Sequence, residues 1–240
     1  MPQVSATSAT PPPAAAASDT PIPPDTHLRD GGHSDTTLAR ARLAIGGALL
    51  TAYLFTRPWG TEGTLEGAAA WADPRWPLSH LAAMVGFTGL VAAAHGLSRD
   101  WSHHARRLVD STAWASLALL LPYYGAEAFA LHAIGRAATQ TGDLDLVALA
   151  EPIRMGALQV TTFGLGWLAL GILAATVGRG LTRRDPRPAL RATAWGWALA
   201  LCAYLPVFYA PPAIRIGHAL LVGTLSITVA ALLHDPTRRD

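Results

Sequence analysis

Three long stretches almost free of charge, at about residues 111–134, 155–177 and 192–210, constrain this chain more than any other feature. Carrying a helix across a hydrocarbon core ~30 Å thick takes roughly 20 consecutive apolar residues, and these stretches have that length. In lipid the backbone must satisfy its own hydrogen bonds, so each is expected to be a helix. Three further candidates, at about 38–56, 77–97 and 213–233, bring the count to six. The expected fold class is therefore all-α, a polytopic transmembrane helix bundle with six spans.

The first span is the weakest, because Arg40 and Arg42 interrupt its start and must snorkel toward the interface. Ahead of it, residues 1–37 are rich in Pro, Ala, Ser and Thr and show no apolar period, so they are expected to be a disordered cytoplasmic tail. No basic residue precedes the short alanine run there, which argues against a secretory signal. The transmembrane domain is drawn at 38–234 and a short C-terminal tail at 235–240. Residues 64–72 read as a short interfacial helix beside Trp59, Trp71 and Trp76, an arrangement that fits an aromatic belt.

Composition narrows the function classes. Hydrophobic residues make up 51% of the chain and charged residues only 14%, which is far from a soluble domain of this length. A net charge of +2 gives no reason to expect nucleic-acid binding; the expected partner is the lipid bilayer. Cys202 is the single cysteine, so intrachain disulfides and thiolate metal clusters are excluded. All cations are arginine, and neither lysine nor asparagine occurs, which reads as a GC-rich coding bias. With an inside N-terminus, thirteen of the eighteen arginines fall on the cytoplasmic side and five opposite. That bias predicts a multi-pass protein of a bacterial inner membrane with both termini cytoplasmic.

Small residues mark where helices approach closely. Ser79, Ala82, Gly86, Gly89, Ala93 and Gly96 recur every three or four residues along the second span, and Gly164, Gly171 and Gly178 form a thinner stripe on the fourth. Both read as packing seams, and a homo-oligomer or a membrane-complex partner using such faces is a further expectation.

Polar residues within the spans carry the functional reading. His80, Glu127, His132, Arg154, Gln159, Arg215 and His218 all fall in the outer third of the membrane once the spans are oriented. Ionisable groups at such depth are costly and by default face the bundle interior. Glu127, just after Pro122, is the candidate proton carrier or general acid, with Arg154 and Arg215 as candidate partners and Tyr123 and Tyr124 near enough to donate a hydroxyl. Arg154, Gln159 and Arg215, with the two tyrosines, form the candidate substrate or ion site. His80, His132 and His218 at one level are candidate ligands of haem or a divalent metal ion. Three functions follow: a redox or metal-binding protein, a small proton- or anion-coupled transporter, or an accessory subunit whose polar cluster sets helix register. An intramembrane enzyme with Glu127 as acid is a weaker fourth, since no recognisable nucleophile arrangement accompanies it.

Overall fold

A computed structural model describes the backbone from His27 to Leu233, with side chains from Thr36 onward. The expected N-terminal tail, up to residue 26, and the C-terminal tail lie outside the described residues. Within them the chain is all-helical: α1 (His27–Thr56), α2 (Leu65–Ala72), α3 (Arg75–Leu97), α4 (His103–Gly125), a π-helical turn (Ala126–Ala130), α5 (Leu131–Thr141), α6 (Leu144–Ala148), α7 (Ala150–Met155), α8 (Ala157–Arg184), α9 (Pro188–Cys202), α10 (Tyr204–Val207) and α11 (Pro212–Leu232). Helix α1 thus begins well inside the stretch that composition assigns to the tail.

Five helical segments are long and apolar enough to cross a membrane: 36–56, 75–97, 103–141, 157–184 and 212–232. Their outer faces carry large apolar side chains such as Leu78, Val85, Trp114, Leu158, Leu168 and Leu220, the surface a bilayer would cover. The expected fifth span, 192–210, requires correction. Helix α9 is only 15 residues long and ends at Cys202. Proline at 206 supplies no backbone N–H, so α10 follows as one short turn and tightens at Phe208, which bonds back to Leu205. Residues 188–207 together would still reach about 30 Å if straight.

Helix α1 lies between α3 and α11, and the small-residue stripe of α3 faces it. A Cβ added at Gly86 would stand 3.0 Å from the Gly46 carbonyl oxygen, and one at Gly96 would stand 2.9 Å from Ala39 Cβ. That face is filled within the chain, so it is not free for a partner as expected above. The α8 stripe packs on α9: at Gly178 an added Cβ would be 3.3 Å from the Ala194 carbonyl, while Gly164 faces open space. Arg40, one of the arginines that weakened the first span, donates from Nε to the Ala230 carbonyl at 2.8 Å. It supplies a donor to the last turn of α11, whose carbonyls lack helical partners.

At the opposite end, α2, α5, α6 and α7 build a cap over the bundle. Its own apolar cluster is centred on Trp71, Trp76, Leu131, Ala138 and Val147. Thr64 caps α2 by accepting from the Gly67 N–H, and Gly142 in the left-handed region ends α5. Trp71 and Trp76 are therefore buried at 3% and 2% exposure and do not sit in an interfacial belt; Trp59 alone of the three is exposed.

Candidate functional site

Pro122 and the π turn after it decide where Glu127 points. In a regular α-helix the Leu131 N–H would bond to the Glu127 carbonyl, but here it goes one residue further back, to Ala126. The Glu127 carbonyl instead accepts from the Trp76 indole N–H at 2.6 Å. A widened turn of this kind is stable only where such a replacement donor exists. Trp76→Phe removes that donor and leaves a buried carbonyl unpaired, a cost of about 1–3 kcal/mol. Thermal unfolding in detergent, followed by circular dichroism, should show the lower Tm; an unchanged Tm would mean the indole does not hold the turn.

The Glu127 side chain is 5% exposed and is met from two sides. Arg154 on α7 donates from Nε to Oε1 at 2.7 Å, and the same guanidinium donates from Nη1 to Glu62 at 2.8 Å. Glu62 is exposed, so the three side chains form a charged path from the bundle interior to its surface. Burial works against the charge on Arg154, but the Glu127 and Glu62 carboxylates outweigh it and hold its pKa above the ordinary arginine value.

On the other side stands His80 of α3, with no exposure at all. Its Nδ1 lies 2.8 Å from the Trp76 carbonyl, an acceptor only, so Nδ1 carries the hydrogen and donates. Nε2 is thereby aimed at Glu127 Oε2, 3.6 Å away. Neither atom has another hydrogen-bond partner. Two bare lone-pair atoms facing each other in a dry site repel, whereas one proton between them joins imidazole and carboxylate. Tyr53 and Trp76 pack around the ring, with centroids 5.1 and 4.6 Å from it, and exclude water.

Glu127 and Arg154 open onto a cavity of about 470 Å³, within the usual size of small-molecule sites. Its walls come from the end of α1, the 57–63 loop, α2, α4, the π turn, α6, α7, α8, the α10 region and α11. Tyr123 stacks on Phe163 at 3.9 Å on one wall. Arg57 and Arg215 stand on another, beside Trp59 and Phe208. Glu62 and Glu151 are exposed lining residues.

The site gathers only part of the expected set. Glu127, Arg154, Tyr123, Tyr124 and Arg215 line the cavity, and His80 backs Glu127 from behind. Arg154 is the partner of Glu127; Arg215 instead lies over Trp59, its Cζ 3.8 Å from the ring centroid. Neither Tyr123 nor Tyr124 donates to Glu127. Gln159 does not line the cavity. The three histidines do not converge: His132 donates to the Trp71 carbonyl at 2.7 Å and His218 to the Ala200 carbonyl at 2.8 Å. Among the described residues no three histidine, cysteine, aspartate or glutamate side chains group to hold a metal ion. Equal depth in the membrane does not fix rotation about each helix axis, and rotation turns His132 toward α2 and His218 toward α9.

Arg57, Glu62 and Trp76 are site residues that depth alone does not reveal. Arg57 and Glu62 lie just past the first span and read from sequence as loop. The signal available for them was the density of tryptophan around two arginines at one end of the bundle. Comparison with known protein families, with curated proteins and with solved structures gave no match.

Proposed function

We propose that this chain is a membrane protein that binds a small solute in the cavity and holds one proton between His80 and Glu127, the two events being linked. The observation that carries this reading is the facing of His80 Nε2 and Glu127 Oε2 in a buried site with no other partner for either. Glu127 also lines the cavity, so negative charge entering it favours the proton-bound pair, and by linkage the proton favours an anionic solute. A proton- or anion-coupled transporter is the activity that fits these parts. The arginine bias supports an orientation in which the cavity opens away from the cytoplasm of a bacterial inner membrane, with both termini inside.

The test is an infrared pH titration of the reconstituted protein. A shared proton makes the imidazole bands of His80 and the carboxylate bands of Glu127 change together. Glu127→Gln should abolish the carboxylate change and alter the imidazole bands of His80, because the facing oxygen is replaced. Imidazole bands that titrate identically in wild type and Glu127→Gln would refute the shared proton.

A further inference from the structure

Arg57 is a buried cation that forms no ion pair among the described residues, although its charge is felt by Glu127 across the same cavity. It is 6% exposed, and its Cζ stands 4.3 Å from the Trp59 ring centroid and 4.6 Å from that of Trp76. Stacking on the flat faces of a guanidinium satisfies its charge in part but leaves its in-plane N–H groups unused. Among the described residues the Arg57 Nε is buried without an acceptor. Arg215 repeats the pattern from α11: its Cζ is 3.8 Å from the same Trp59 centroid and its Nε is also buried without an acceptor. The two Cζ atoms are therefore no more than about 8 Å apart. Two like charges within that distance in a partly dry site repel, and an anion reached by both N–H edges offsets both.

Both arginines line the cavity, whereas the third cation there, Arg154, already holds Glu127 and Glu62. Other parts of the lining are aromatic, with the stacked Tyr123 and Phe163 pair at 3.9 Å. We infer that the cavity takes an oxoanion, a carboxylate or phosphate, carried on an apolar or aromatic body, with Arg57 and Arg215 holding the anionic head beside Trp59. The arginine fork matches two oxygens in one plane, and the stacking on Trp59 and Trp76 fixes the orientation of the Arg57 fork before the ligand arrives. This inference rests on reading the cavity as a solute site and adds the chemical class of the solute.

The experiment is calorimetric titration of the full chain, in nanodiscs of zwitterionic lipid, with benzoate and separately with inorganic phosphate. At least one probe should bind, and Arg57→Gln and Arg215→Gln should each weaken it roughly tenfold or more. Arg57→Lys keeps the charge but not the fork, so its affinity should fall between wild type and Arg57→Gln; it also serves if the glutamine variant does not fold. Repeating the titration in discs that contain phosphatidylglycerol separates two sources of the same chemistry. Loss of probe binding there assigns the site to an anionic lipid headgroup, and retained binding assigns it to a soluble acid; both support the oxoanion site. No binding of either probe in zwitterionic discs, or binding unchanged in Arg57→Gln and Arg215→Gln, overturns it. The shared-proton reading stands or falls separately, on the infrared titration.

Discussion

Arg154→Ala is expected to destabilise the protein by about 3–5 kcal/mol, because it strands the Glu127 carboxylate in a buried site. Glu127 Oε1 loses its 2.7 Å donor, and the exposed Glu62 cannot replace a cation. The measurement is the Tm of the purified protein, read as a shift against wild type, since membrane proteins of this kind need not unfold reversibly. Glu127→Gln should cost less, since it removes the charge that needs burying and leaves Arg154 with Glu62. The double variant should recover much of the loss seen in Arg154→Ala alone, which is the signature of a coupled pair. The sign of the pH effect follows from the same chemistry. Acidification supplies a proton that neutralises the stranded carboxylate, so the deficit of Arg154→Ala should shrink as pH falls. An Arg154→Ala protein as stable as wild type at neutral pH would show that the buried pair is not what holds α7 over the bundle.

The second large effect is expected at the seam between α1 and α3. Gly86→Val and Gly46→Val each place a branched side chain where even a Cβ would lie 3.0 Å or 2.9 Å from the facing helix's backbone carbonyl. Backbone cannot step aside as a side-chain end can, so the helices must separate, at about 1–3 kcal/mol or more for each substitution. Gly164→Val is the control, because nothing lies within 4 Å of the position a Cβ would take there. Tm should fall in the two seam variants and stay close to wild type in the control. Equal behaviour of all three would mean that close helix approach is not the reason for glycine at 46 and 86.

Apolar length and period are properties of a segment by itself, which is why the spans could be read before any fold was known. The stripe on α3 is a case in point: small residues spaced three and four apart can only lie on one face, and a face without bulk must meet another helix. The break in the fifth span shows the limit. Pro206 was visible in sequence as a bend, but whether the chain continues as one crossing helix depends on what α10 meets at its end, where Tyr204 packs at 1% exposure. The aromatic belt failed for a similar reason. Trp71 and Trp76 have the composition of interfacial residues, yet a cap formed by α2 and α5 covers them.

The candidate site divides along the same line. Depth in the membrane follows from residue number and span direction, so the sequence alone could bring Glu127, Arg154, Arg215 and His80 to one level. Azimuth does not follow, because it depends on how each helix is rotated against its neighbours and on irregularities such as the π turn at Ala126–Ala130. That turn hands the Glu127 carbonyl to Trp76 and so seats the Glu127 segment against α3. Three histidines at one depth therefore resolve into one that faces Glu127 and two that point at the backbone of other helices. The apolar stretches determined the class of the protein and five of the six expected spans, and they suggested the level at which polar groups would gather. Which of those groups touch, and that Arg57 joins them from outside the spans, came from packing: contact across helices is a long-range property, set by the seams, the bends and the cap together.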